Sequence, residues 1–257
     1  MRDGTLFVRQ LGTTTGTPVL LMHGGWGDGD LFTLSKPTMQ ILGSHFPLII
    51  PDLRGNGLSK EMGLITSIAQ MGDDFIAYMK KEEIERVNLV GFSWSGSIAM
   101  YLASQYPEKI KRLALVSTYT HLYEKKERSL YDRAWAGLIC RHLMAWVMQR
   151  SEPPPSQEEG KRYRKLLLTM DKTQMRAFIR VVKQFDGKPL LSKITAPTLV
   201  VVGDTDNIAK VPEAHLMVQD IPGARLWVIP DANHNVWDQR NPTAQKLASE
   251  LCGFFSD

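Results

Sequence analysis

The sequence predicts an α/β protein: a mostly parallel, twisted sheet flanked by helices, with an all-helical segment inserted into it. Three observations predict this. Short, wholly apolar runs such as Val19-Leu20-Leu21-Met22 recur along the chain, and such runs mark strands covered on both faces. Amphipathic helical stretches alternate with them, which requires right-handed crossovers between parallel strands. The rhythm then stops between about Tyr119 and Leu190, where no strand pattern occurs, and resumes afterwards.

The elements follow in order. Thr5 to Leu11 alternates as a strand and Thr13-Thr14-Thr15-Gly16 is a turn. Val19 to Met22 is a buried strand that ends in His23-Gly24-Gly25-Trp26-Gly27-Asp28-Gly29. Phe32 to Leu42 reads as a helix and Leu48-Ile49-Ile50 as a strand, closing with Pro51-Asp52-Leu53-Arg54-Gly55-Asn56-Gly57-Leu58-Ser59. Asp52 and Arg54 are expected to form a structural ion pair. Ile68 to Lys80 is an amphipathic helix, Val87 to Val90 a strand, Trp94 to Gln105 a helix and Leu113 to Val116 a strand.

Trp135, Leu138, Ile139, His142 and Trp146 share one helical face, and Pro153-Pro154-Pro155 breaks that helix. Arg162 to Met170 and Gln174 to Phe185 read as further helices. Thr198 to Val202 is rich in β-branched residues and reads as a strand, followed by Gly203-Asp204-Thr205-Asp206. Glu213 to Gln219 is helical, Leu226 to Ile229 is the last strand, and Pro242 to Phe255 is the last helix. This divides the chain into a core of 1–118 and 191–257 and a helical insert of 119–190.

Composition excludes several classes. Hydrophobic residues are 43% and charged residues 23%, an ordinary globular balance. No run approaches the ~18 apolar residues of a membrane helix. No signal-peptide pattern follows Met1-Arg2-Asp3-Gly4, and Cys140 and Cys252 form no disulfide framework or metal-ligand spacing, so a cytoplasmic setting is expected. Residues 121–190 hold 15 Lys and Arg against 8 Asp and Glu, while the remainder holds 16 against 19. The basic residues are interleaved with acids and match no nucleic-acid module. A small-molecule substrate is expected, with no nucleic acid, no membrane span and no cofactor or metal. Monomer and homodimer both remain open.

Chemistry enters through position. In parallel sheets, ligands sit outside the carboxyl ends of the strands. Every polar cluster falls at such an end: His23 to Gly29, Asp52 to Ser59, Ser93, Asp204 to Asp206 and His234. Gly91-Phe92-Ser93-Trp94-Ser95-Gly96 forces a serine onto a tight strand-to-helix turn, with small residues where strand and helix nearly touch. The helix N-terminus behind it offers free N–H groups to developing negative charge. A serine hydroxyl is a poor nucleophile and needs a base such as imidazole, which in turn needs a carboxylate to set its tautomer. Ser93, Asp206 and His234 occur in that order, each just past a strand.

His23-Gly24-Gly25-Trp26, Asp52 to Ser59, the Gly91-to-Gly96 elbow, Gly203-Asp204-Thr205-Asp206 and Asn233-His234 together resemble the α/β-hydrolase fold superfamily over nearly the whole chain. The resemblance implies Ser93 as nucleophile, His234 as base and Asp206 as the orienting acid, with Asp204 as the rival. It implies an oxyanion hole from the backbone N–H of Trp94 and of Gly25, with Trp26 as the alternative to Gly25, and a bracing role for His23. The family's usual first strand is missing, so about seven strands are expected instead of eight. Ser95 stands where glycine is usual, and Ala232 precedes Asn233-His234 where the family favours glycine.

Serine at the elbow points away from the aspartate-dependent dehalogenases and epoxide hydrolases of this fold. The implied activity is hydrolysis of a carboxylic ester of a small-to-medium, largely apolar substrate through an acyl-serine. The insert takes the family's cap position, and Trp26, Trp135, Met144 and Trp146 are candidate pocket residues. A lactonase, a carbon–carbon-bond hydrolase of the meta-cleavage kind, a thioesterase and a cofactor-free haloperoxidase would use the same triad. A non-hydrolytic small-molecule-binding protein on this fold is the reading from another class.

Overall fold

The computed structural model describes residues 5–25, 27–30, 36–121, 157–169, 171–237 and 243–256. Seven strands form one sheet: β1 (Val8–Gly12), β2 (Val19–Met22), β3 (Pro47–Pro51), β4 (Val87–Phe92), β5 (Ile110–Val116), β6 (Thr198–Gly203) and β7 (Arg225–Ile229). Their order is β1-β3-β2-β4-β5-β6-β7. Only β1 runs antiparallel to its neighbour, with Val8 opposite Pro51 and Gly12 opposite Pro47; β2 to β7 pair in parallel. The expected seven-stranded, mostly parallel sheet is therefore present.

The period-two alternation of each central strand explains the two-layer core. Leu20, Met22, Leu89, Leu113, Leu115, Val200 and Val202 join one apolar cluster. The intervening Val19, Leu21, Val90, Ala114, Val116, Leu199 and Val201 join the other. Helices α1 (Lys36–Gly43), α2 (Ile68–Lys81) and α3 (Gly96–Gln105) come from the first half of the chain. Helices α4 (Gln157–Thr169), α5 (Lys172–Gln184) and α6 (Lys188–Leu191) follow, then α7 (Val211–Asp220) and α8 (Thr243–Ser256). On the first face, α2 and α3 pack on each other, and α7 adds Ala214 and Met217. On the second face, α1 packs against α8.

Local signals start these helices where they do. Ser67 caps α2 by accepting from Gln70 N, and Asp171 caps α5 by accepting from Thr173 N and Gln174 N. Proline opens α7 and α6, at positions where its missing N–H costs nothing. Between β5 and β6, the described residues 157–169 and 171–191 carry α4, α5 and α6. Among the described residues, no helix is long and apolar enough to cross a membrane.

The strand order places the site. The chain runs from β2 outward to β3, then returns to add β4 on the other side of β2. The loops after β2 and β4 thus diverge at a topological switch point, where a crevice opens above the carboxyl ends.

Candidate active site

Ser93 follows β4 directly, at φ 55°. A non-glycine residue in this left-handed region costs about 1–3 kcal/mol and persists only where its surroundings impose it. The surroundings are identifiable. A methyl group built on Gly91 would come within 2.7 Å of Ala99 Cβ and 2.8 Å of Gly96 Cα, so strand and helix meet there with no room for a side chain. Thr118, just past β5, donates its hydroxyl to Ser93 O at 2.6 Å. Ser95 donates to Met22 O at 2.7 Å and accepts from Phe92 N at 2.9 Å. The serine that departs from the usual glycine is therefore a tie between the elbow and the end of β2.

Ser93 Oγ lies 2.8 Å from His234 Nε2. On the other side of the ring, His234 Nδ1 lies 2.9 Å from Asp206 Oδ2 and 3.0 Å from Oδ1. Asp206 and His234 are both buried. Asp206 Oδ1 also accepts from Ile208 N and Ala209 N, each at 2.8 Å. The carboxylate is thus held by its own loop, and an Nδ1–H donated to it leaves Nε2 to accept from a serine hydroxyl. The His234 ring packs on Phe92, with centroids 5.6 Å apart. Asp204, the rival acid, is exposed. His45, His121 and His215 are exposed as well.

The loop after β2 completes the site from the other side. His23 is buried; its Nδ1 donates to Gly24 O at 2.7 Å and its Nε2 accepts from Leu53 N at 3.0 Å. That pairing requires the neutral ring, and burial holds its pKa below the ordinary histidine value. The ring ties the loop to the segment after β3. A methyl built on Gly24 would lie 3.2 Å from Ser93 Cβ, so this loop runs alongside the serine. Trp94 is buried behind it.

The expected Asp52–Arg54 ion pair gives way to two others. Asp52 Oδ1 accepts from Arg9 NH1 at 2.6 Å and Gly29 N at 2.8 Å, and its Oδ2 from Leu58 N at 2.7 Å. Arg54 instead pairs with Asp74 on α2, at 2.5 Å. The register explains the switch. β1 lies beside β3 and sets Arg9 opposite Ile50, two residues before Asp52, whereas Arg54 sits beyond a turn.

Sequence reasoning also missed a charge cluster. Arg162 on α4 contacts Asp28 Oδ1 at 2.7 Å and Asp30 Oδ2 at 2.6 Å, and Arg9 Nε contacts Asp30 Oδ1 at 2.6 Å. Nothing local in the sequence marks a pair separated by more than 130 positions. Of the expected pocket residues, Trp26, Trp135, Met144 and Trp146 lie outside the described residues, as do Cys140 and His142. Gly25 and Trp94, the expected oxyanion donors, both lie against the ring of Phe178 on α5.

The chain belongs to the α/β-hydrolase family, whose model matches residues 17–240. It is 25% identical to the pimeloyl-[acyl-carrier protein] methyl ester esterase of Chromobacterium violaceum, over 89% of this chain and 91% of that one. It is 25% identical to the serine hydrolase BPHL of Mus musculus, over 85% of this chain and 73% of the relative. Among solved structures it is similar to a bromoperoxidase from Bacillus anthracis, with a TM-score of 0.86, 20% identity, and coverage of 98% and 95% of the two chains. Relatives of such different names share the fold, so function has to be argued from the site.

Proposed function

We propose that this protein is a serine hydrolase that cleaves a carboxylic ester of a small-to-medium, largely apolar substrate. The reading rests on one observation above all: a serine on a strained elbow, 2.8 Å from an imidazole nitrogen whose partner nitrogen faces a buried carboxylate. Ser93 Oγ attacks the ester carbonyl carbon while its proton passes to His234 Nε2. Asp206 holds the ring and stabilises its charged form. The negative charge on the carbonyl oxygen is taken by the backbone N–H groups of Trp94 and Gly25, each worth about 3 kcal/mol in the transition state.

As the tetrahedral species collapses, the carbon–oxygen bond to the alcohol breaks and the alcohol leaves with the proton from Nε2. Water then attacks the acyl-serine by the same route, releasing the acid and restoring Ser93. Helices α4 and α5 reach the loop after β2 through Arg162 and Phe178, and the segment that carries them is read as the cap that walls an apolar pocket. The name of the Chromobacterium relative, a methyl ester esterase, agrees with this chemistry.

Intact mass after fluorophosphonate treatment, beside turnover of p-nitrophenyl esters, tests the reading. Wild type is expected to gain one adduct and hydrolyse the esters, while Ser93→Ala does neither and melts at an unchanged temperature. Labelling or turnover that survives in Ser93→Ala removes Ser93 as the nucleophile.

A further inference from the structure

Phe178 is the point at which α5 meets the oxyanion side of the site. We propose that its ring is the end wall of the acyl pocket and limits the enzyme to short acyl groups; this deepens the serine-hydrolase reading and rests on it.

The helix carries the ring to a defined place. Gln174, Met175, Phe178, Val181 and Val182 recur at the spacing of one helical face, and Gln174, Met175, Val181 and Val182 are buried. The N-terminal end of α5 is pinned by the Asp171 cap. Gln174 Nε2 donates to Arg54 O at 3.4 Å, and its amide occupies the space a side chain on Gly55 would need. Val181 and Val182 join the core cluster at the other end. With both ends of the face seated, Phe178 between them has little freedom to move with its helix.

The ring contacts the side chain of one residue expected to supply an oxyanion N–H and lies on the backbone of the other. Its centroid is 4.5 Å from that of Trp94, at an interplanar angle of 59°. Trp94 is itself buried and gives the ring a firm backing. A methyl built on Gly25 would come within 2.9 Å of Phe178 Cζ. Any side chain at position 25 would have to displace this ring.

The reaction then assigns the direction. A tetrahedral carbon on Ser93 has three other substituents. The oxyanion points to the N–H groups of Trp94 and Gly25. The leaving oxygen has to reach His234 Nε2 to take its proton, and that ring packs on Phe92. The acyl substituent is left on the side away from His234, beside the donors, where Phe178 stands. An aromatic ring lying on Gly25 and backed by the Trp94 indole closes that side within a few carbons of the reacting centre. Discrimination in apolar pockets runs at about tenfold or more per methylene that fails to fit.

The test compares kcat/KM for p-nitrophenyl acetate, butyrate and octanoate on wild type, Phe178→Leu and Phe178→Ala. Wild type is expected to favour acetate and butyrate. Phe178→Ala should raise the octanoate-to-acetate ratio by about tenfold or more, with Phe178→Leu in between. Phe178→Leu keeps the test alive if the alanine variant does not fold. The ratio between p-nitrophenyl acetate and 1-naphthyl acetate, which differ only in the alcohol, should stay as in wild type. Where ester turnover is too slow to rank, labelling rates of Ser93 by ethyl- and octyl-chain fluorophosphonates give the same ratio.

Wild type that accepts octanoate as well as acetate, an acyl profile unmoved in the variants, or a shift in the alcohol ratio instead, overturns the proposal. In each of these, Ser93 is still labelled and the hydrolase reading stands. Absence of any label on Ser93 removes that reading and the acyl wall with it.

Discussion

Ser93, Asp206 and His234 hang on short loops after β4, β6 and β7, whereas the loop after β2 is held by charges arriving from three directions. In the first region the supports are neutral or local. Thr118 and Ser95 hold the elbow, and Asp206 takes two N–H groups from its own turn. In the second region, Arg9 reaches in from the edge strand, Asp52 from the end of β3 and Arg162 from α4. Neutral hydrogen bonds and bonds within one turn leave no long-range charge attraction for salt to screen. Ion pairs that join distant segments tie the loop to the docking of those segments. The Ser93–His234–Asp206 side is therefore held without such ties, and the loop after β2 is coupled to α4 through Arg162.

Substitutions in the first region should remove activity and leave stability alone. Asp206→Asn should lower kcat by about 10⁴, because an amide stabilises the wrong imidazole tautomer. Asp204→Asn should stay near wild type, since that side chain is exposed. Steady-state kinetics on the two variants decide the point, and the reverse ranking would transfer the acid role to Asp204.

Substitutions in the second region should act through stability. Asp52→Ala breaks a buried pair with Arg9 and strips acceptors from Gly29 N and Leu58 N. It should cost about 3–5 kcal/mol in urea unfolding. A cost under about 1 kcal/mol would mean that Asp30 alone suffices for Arg9.

A smaller effect is expected from His23. Burial holds its pKa down in the folded protein, so the native state resists a proton that the unfolded chain accepts below about pH 6.5. Its contribution is whole above that pH and is lost as the pH falls below it. His23→Gln should flatten this slope in melts between pH 7 and 5, and an unchanged slope would place the acid sensitivity elsewhere.

The smallest change is expected at Arg162, which is one-third exposed. Arg162→Gln should cost about 1 kcal/mol or less, and the difference in Tm from wild type should fade in high salt. A difference that persists in salt would show that Arg162 acts by packing and not by charge.

Much of this protein was determined by sequence alone, because the signals are local. Apolar runs of three or four residues alternating with amphipathic stretches define a parallel sheet, since burial on both faces demands such runs. Gly91 to Gly96 spells a strand-to-helix turn too tight for larger residues. Ser93, the Asp204–Asp206 pair and His234 stood out because each follows a strand, and parallel topology brings strand ends to one edge; the resemblance to the α/β-hydrolase fold singled out Asp206 of the pair.

Tertiary structure alone decided the pairings. Asp52 chose Arg9 over Arg54 because the β1–β3 register sets Arg9 beside it. Ser95 became a tie to Met22 because two strands distant in the chain are neighbours in the sheet. Arg162 met Asp28 and Phe178 met Gly25 because α4 and α5 dock over the loop after β2. A residue type and its neighbours in sequence specify what a side chain can do; only the packing of remote segments specifies which partner stands close enough to let it.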